Sequence, residues 1–252
     1  MENLISLAGK LILVTGASSG IGRATAIALS QLGARMILSG RRTEGLQETL
    51  AQAGSGELHL VKPFDLSRAD EIPRWIARLV EECGAPLDGA VHCAGVAGHI
   101  PLRALSTGQL ESVARANVNS TVMLLKGISA RTAVPSSGSS IVLISSVAAL
   151  AASPGMIAYA ASKAAVQAIA RSAAKELGPK RVRVNCIAPA YVRTPMLANA
   201  AAGIPEFERI EAQQFLGMIE PEEVATMAAY LLSDAARKIT GSNFVMDGGF
   251  TL

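Results

Sequence analysis

Apolar residues follow two alternating rhythms along this chain. Short apolar stretches such as 10–15 (KLILVT), 34–39 (ARMILS) and 140–144 (SIVLI) alternate with longer segments in which apolar positions recur every three or four residues. The first rhythm fits strands buried on both faces of a sheet, and the second fits helices with one apolar side. Residues 10–15 predict a strand and 21–32 a helix that stops at Gly33, a favourable C-cap. Strands at 34–39, 58–62 and 88–92 follow, separated by helices over about 43–53 and 69–83. The second half predicts helices over 106–117 and 120–133, then the strand at 140–144. A helix runs from the Pro154-Gly155 loop to Gly178-Pro179, followed by a strand at 181–187 that stops before Pro189. A last helix starts in Glu220-Pro221-Glu222-Glu223 and reaches about 233, before a seventh strand at 243–246. Strands alternating with helices require right-handed crossovers, hence a parallel, doubly wound α/β sheet.

The chain has 252 residues and no Pro/Gly/Ser-rich linker or long charge run, so 1–252 reads as one domain. Half of the residues are hydrophobic and 17% are charged, which suits a sheet covered on both faces. The segment 194–216 is less periodic and is expected to form a flexible substrate flap. A formal net charge of +3 is modest, and the basic residues are scattered without interleaved aromatics, which argues against nucleic acid as a partner. Cys83, Cys93 and Cys186 are odd in number and widely spaced, fitting neither a disulfide framework nor a metal site; a reducing cytoplasm is the expected compartment. Met1-Glu2-Asn3 opens without a basic n-region, and no apolar run approaches the ~18 residues of a membrane span.

Two motifs carry chemistry. The first is Thr15-Gly16-Ala17-Ser18-Ser19-Gly20-Ile21-Gly22, a glycine-rich turn between the first strand and the first helix. A helix N-terminus offers unpaired N–H groups and about half a positive charge, and glycines there let a pyrophosphate approach the backbone. The spacing is G-x-x-x-G-x-G, which differs from the common G-x-G-x-x-G fingerprint and is also compatible with a purely structural turn. It lacks the Gly-Lys-Ser/Thr ending of a nucleotide-triphosphate loop, which argues against an ATPase. The second motif is Tyr159-Ala160-Ala161-Ser162-Lys163, whose ends share one helix face. An ammonium about 5 Å from a phenol at an effective dielectric of ~20 is worth roughly 3 kcal/mol, or about two pK units. The expectation is therefore that Lys163 lowers the Tyr159 pKa enough for acid/base work near neutrality.

Thr15-Gly16, Gly20-Ile21-Gly22, Asn117, Ser146, Tyr159, Lys163 and Pro189, in this order and at these spacings, resemble the short-chain dehydrogenase/reductase family. The resemblance covers the chain from Lys10 to Gly249. It implies a single-domain Rossmann-like fold with a seven-stranded parallel sheet, assembled as a homotetramer or dimer through the 160–174 helix and the C-terminal strand. It also implies nicotinamide-dependent hydride transfer between a carbonyl and an alcohol, with Asn117, Ser146, Tyr159 and Lys163 as the catalytic set. Ser146 would hold the substrate oxygen, with its neighbour Ser145 on the other side of an extended chain. Tyr159 would be the proton donor in reduction, Lys163 would also hold the nicotinamide ribose, and Asn117 would order a water leading to solvent.

For the dinucleotide, the resemblance assigns Gly16, Ser18, Ser19, Gly20, Ile21 and Gly22 to the pyrophosphate, and Asp65 and Leu66 to the adenine. Cys93, Ala94 and Gly95 would also bind the cofactor, and Pro189, Val192 and Thr194 would lie beneath its nicotinamide. In this fold an acid at the end of the second strand accepts from ribose hydroxyls, whereas an arginine accommodates a 2′-phosphate. Ser39-Gly40-Arg41-Arg42 has no carboxylate there, so Arg41, helped by Arg42, favours NADP(H). Ser19 stands where many NADP-dependent members carry another basic residue, Ala190 replaces a usual glycine and Cys93 a usual asparagine. Within the family the pattern is most similar to 3-oxoacyl-(acyl-carrier-protein) reductases, and Lys180 with Arg181 could meet an acidic carrier. A reductase of a small ketone, sugar or steroid-like alcohol is the rival enzyme reading, and a catalytically silent dinucleotide-binding subunit is the rival of another class.

Overall fold

The computed structural model describes residues 5–54, 59–201 and 211–252. Its strands are β1 (Leu11–Thr15), β2 (Arg35–Ser39), β3 (Leu60–Val61), β4 (Gly89–His92), β5 (Ser139–Ile144), β6 (Val182–Pro189) and β7 (Asn243–Met246). They form one sheet in the order β3-β2-β1-β4-β5-β6-β7, and every pair is parallel. The helices are α1 (Gly20–Gln31), α2 (Thr43–Ala53), α3 (Ile72–Cys83), α4 (Thr107–Ala114), α5 (Ser120–Ile128), α6 (Ile157–Leu177), α7 (Pro195–Ala201) and α8 (Pro221–Leu232). The expected single Rossmann-like domain is the fold observed, although β3 is only two residues long and Leu58 lies outside the described residues.

Alternation along each strand sorts its side chains into two cores. Leu11 and Leu13 of β1 join Ile72, Trp75, Ile76, Leu124 and Ile128 on one face, while Ile12 and Val14 join Leu29, Leu46, Val224 and Leu232 on the other. Because β1 is flanked by β2 and β4, crossovers leave it in opposite directions and open a crevice at the carboxyl ends of the strands.

Two expected helices differ from what is found. The stretches predicted as 106–117 and 120–133 form one continuous helical run, in which α4 passes into α5 through a π turn at Arg115–Asn119. The run ends at Ile128 and is started by Ser106, whose hydroxyl accepts from the Gln109 N–H while the Gln109 side chain accepts from the Ser106 N–H. One extra residue per turn shifts the side chains that follow it, and such turns cluster at functional sites.

Candidate active site

The glycine turn is shaped by steric necessity. Gly16 has φ +67°, and a Cβ there would lie 2.8 Å from the Ala94 nitrogen. A Cβ on Gly22 would come within 2.2 Å of the Gly16 carbonyl oxygen, so the first turn of α1 is pressed onto β1. Ser19 precedes α1 in extended conformation with no side-chain cap, and no acid lies in the first turn, so the turn keeps its helix-dipole charge for an anion. This cradle fits a pyrophosphate. The Thr194 side chain lies against Gly20 from the opposite wall, where a Cβ would meet it at 3.1 Å.

One residue that fixes this turn gave no sequence signal. Arg23 donates from Nη2 to the Ser18 carbonyl (2.8 Å) and the Gly45 carbonyl (3.3 Å), and from Nε to Thr49 Oγ1 (3.1 Å). It also pairs with Glu48 at 2.7 Å, stitching the turn to α2.

The catalytic candidates gather at the carboxyl ends of β4 and β5. Ser146 follows β5 in extended conformation, accepts from the Ala148 N–H at 3.1 Å, and stands near enough to the Tyr159 phenol to lower its pKa. Ser145 is turned into the frame instead: its hydroxyl donates to the Lys163 carbonyl (3.0 Å) and accepts from Gln167 Nε2 (3.1 Å). Lys163 is buried and donates to the Ile144 carbonyl at 2.8 Å. Asn117, on the π turn, accepts the Val96 N–H (2.8 Å) and donates to the Val96 carbonyl (2.9 Å) and Ser162 Oγ (2.9 Å). Both of its N–H bonds are used, so the side chain pins the strand-end loop to α6. A Cβ on Gly95 would lie 3.1 Å from Asn117 Oδ1 and 3.5 Å from Lys163 Nζ, so that loop approaches both groups closely.

The expected electrostatics of the tyrosine need correction. Burial pushes the Tyr159 phenol up and the Ser146 hydroxyl pulls it down; Lys163 contributes no resolved pull. Its Nζ sits 5.7 Å from the centroid of the Tyr159 ring rather than at the phenol oxygen, and is tied to the Ile144 carbonyl. Burial lowers Lys163 itself to about 8, so it stays mostly charged at neutral pH with little in reserve. Next to it, burial lowers His92 to about 3, and its neutral ring bonds Thr15 Oγ1 at 2.8 Å. Cys93 is packed against the α1 side of the core, and burial pushes its thiol to about 12, so it is inert as a nucleophile.

The end expected to hold the adenosine is open by contrast. Arg41 and Arg42 are exposed just after β2, and Arg41 lines a cavity of about 410 Å³ with Ser67, Val96, Glu111 and Arg115. The Asp65 carboxylate accepts from the Ser67 N–H at 3.0 Å, which, with the Arg41 charge nearby, holds it below the usual carboxylate range. The Leu66 side chain belongs to the core. On the side expected to hold the nicotinamide, Pro189 closes β6, Val192 forms a parallel bridge to Ile219, and Thr194 Oγ1 donates to the Val192 carbonyl at 3.2 Å. Of the expected flap, α7 and residues 211–216 are described, with Phe215 and Leu216 exposed, whereas Phe207 lies outside the described residues. Lys180 and Arg181 line a second cavity, of about 510 Å³, at the amino ends of β5 and β6, opposite Tyr159. Among the described residues no three His, Cys, Asp or Glu side chains converge to hold a metal, and no helix is long and apolar enough to cross a membrane.

Comparison with known proteins agrees with this geometry. The sequence profile described as Enoyl-(Acyl carrier protein) reductase matches residues 16–251. The chain is 34% identical to the A-factor type gamma-butyrolactone 1′-reductase (1S-forming) of Streptomyces virginiae, covering 98% of this chain and 97% of that protein. It is 34% identical to the D-threitol dehydrogenase of Mycolicibacterium smegmatis (98% and 94% covered). Identity is 32% to the 3-oxoacyl-(acyl-carrier-protein) reductase FabG of Thermotoga maritima (98% and 99% covered). A short-chain type dehydrogenase/reductase from Mycobacterium ulcerans superposes with a TM-score of 0.88 at 35% identity, over 98% of this chain and 91% of that one.

Proposed function

The chain belongs to the short-chain dehydrogenase/reductase family and is an NAD(P)-dependent oxidoreductase acting on CH–OH donors, and from that premise we propose an NADP(H)-dependent reductase of 3-oxoacyl thioesters. The observation that carries the reading is the convergence of Ser146, Tyr159 and Lys163 beside a glycine cradle shaped for a pyrophosphate. The nicotinamide, when bound, supplies or accepts the hydride. Hydride arrival leaves negative charge on the carbonyl oxygen, so the residues present must hold that charge and deliver a proton. In our reading the Ser146 hydroxyl donates to that oxygen and the Tyr159 phenol protonates it. Lys163, buried and charged, holds the nicotinamide ribose and passes the replacement proton in from solvent along the Asn117 turn.

Arg41 supports the NADP(H) preference, because it stands exposed at the end of β2 with no carboxylate in that strand end. The thioester is supported by the likeness to FabG and by the profile matched; the pair Lys180 and Arg181 lends it nothing within one chain, since it lies at the far end of the sheet. A second reading, reduction or oxidation of a small ketone or polyol, is favoured by the likeness to a lactone reductase and a threitol dehydrogenase. Self-association through α6 and the open β7 edge, where Val245 is exposed, is part of the same proposal.

The test is oxidation of NADPH by the purified protein with an acetoacetyl thioester, beside NADH and a panel of ketones and sugars. Thioester turnover specific to NADPH is expected. Turnover confined to a polyol or ketone would move the substrate to the second reading, and preference for NADH would remove the role given to Arg41.

A further inference from the structure

Gln214 is a polar side chain placed where burial is costly, with only 2% of its surface exposed. Every hydrogen-bonding group of its amide is used. Oε1 accepts from the Tyr191 N–H at 2.7 Å, and Nε2 donates to the Tyr191 carbonyl at 3.3 Å and the Gly217 carbonyl at 3.1 Å. The side chain thus grips the N–H and C=O of one residue as a neighbouring strand would. Beside it a short backbone ladder continues the pairing: Arg193 N–H to the Ile219 carbonyl at 2.9 Å, and Ile219 N–H to the Tyr191 carbonyl at 3.3 Å. On the other side of the same loop, the Ala190 N–H reaches the Met246 carbonyl at 2.9 Å. The segment 189–194 is therefore clamped between β7 and the chain around Gln214, whose side-chain amide holds the Tyr191 N–H, which the ladder does not reach, and shares the Tyr191 carbonyl with the Ile219 N–H.

We infer that Gln214 is a positioning residue for the nicotinamide half of the cofactor site. The inference rests on the proposed reading that 189–194 flanks the nicotinamide. Gln214 reaches no reacting atom; it acts through the Tyr191 peptide, which lies one residue before Val192 and three before Thr194. Three features make it more than a core amide. It joins segments 23 residues apart in sequence, its amide meets both the N–H and the C=O of Tyr191, and it sits beside Gly248, where a Cβ would meet its own Cβ at 3.3 Å. The C-terminal segment, the substrate side and the cofactor loop thereby meet at one side chain.

Binding, measured by titration calorimetry, separates positioning from general damage. In Gln214→Leu, affinity for NADPH should fall about tenfold or more, whereas affinity for adenosine 2′,5′-bisphosphate, which lacks the nicotinamide half, should match the parent protein. The KM for NADPH should rise more than kcat falls. In Gln214→Glu the protonated acid can accept from the Tyr191 N–H and donate to one carbonyl, while the carboxylate can only accept. Burial raises such a group's pKa. NADPH binding by Gln214→Glu should therefore approach the parent's near pH 5.5 and fall to the leucine variant's by pH 8.5, a trend that neither of the other two proteins shows. Equal losses for NADPH and the bisphosphate, or no loss for either, would overturn the inference. A parent protein that binds the bisphosphate and NADPH equally well would overturn the nicotinamide assignment of 189–194 itself, a failure that the Gln214 variants would not produce.

Discussion

The two ends of the dinucleotide crevice are built on opposite principles. Around Tyr159, side chains are sunk into the fold and tied to backbone groups: Lys163 to the Ile144 carbonyl, Asn117 to Val96, Ser145 to α6. Around Arg41, charged groups stand at the surface and meet each other across a cavity. A group held by the backbone keeps its geometry when its neighbours change, which is what proton transfer over short distances requires. An exposed cation keeps its charge and little else, so it can be exchanged without disturbing the fold. On the proposed reading, the chemistry is fixed in the frame and cofactor choice is left to the rim.

That contrast can be broken most forcefully at the tyrosine. Tyr159→Phe removes the proton donor and keeps the ring, so kcat should fall by about 10³-fold, roughly 4 kcal/mol, with little change in the thermal midpoint. Turnover within tenfold of the parent, measured at saturating NADPH, would remove Tyr159 from the chemistry. The adjacent serines sharpen the same point. Ser146→Ala should cost about 10²-fold in kcat, whereas Ser145→Ala should cost about 1 kcal/mol of stability through its lost bonds to Lys163 and Gln167 and leave kcat within a few-fold. Equal kinetic losses would erase the distinction between reacting and framing serine.

The frame should also be visible in pH. His92 is held neutral with a folded value of about 3, while an unfolded histidine titrates near 6.5. The unfolded chain therefore binds more protons between those values, and stability present above pH 6.5 drains away as the pH falls toward 3. Between pH 6.5 and 5 the loss is up to about 2 kcal/mol from this group, and His92→Asn should flatten that part of the denaturation profile whatever its overall stability. Last comes the rim: Arg41→Ala should weaken NADPH binding about tenfold, near 1.4 kcal/mol, and leave NADH unchanged. An equal effect on both cofactors would place Arg41 in the frame and undo the contrast.

Most of the sheet was legible because strands buried on both faces write themselves as short apolar runs, and the glycine turn because Gly16 and Gly22 admit no Cβ. The π turn was not, since one inserted residue barely alters a helical periodicity that Val113, Leu124 and Ile128 otherwise keep. The tyrosine shift was misjudged because spacing alone says that Tyr159 and Lys163 share a face, but not that the ammonium is already engaged by Ile144 and that burial acts on both. Gln214 and Arg23 were invisible for a related reason: neither belongs to a motif, and the partners that matter lie in other segments.

The π turn at Arg115–Asn119 divides the long helix into two units of unequal firmness. Downstream, α5 is bolted to α3, with Gly127 so close to Ile76 that a Cβ would come within 2.9 Å. Upstream, α4 is mostly exposed and buries only Val113. Where the ladder of backbone bonds changes step, opening need not propagate, so amide hydrogens of α4 should exchange far sooner than those of α5. One wall of the cavity beside Arg41 can then breathe on its own, while Asn117, at the boundary, stays anchored to the slowly exchanging half.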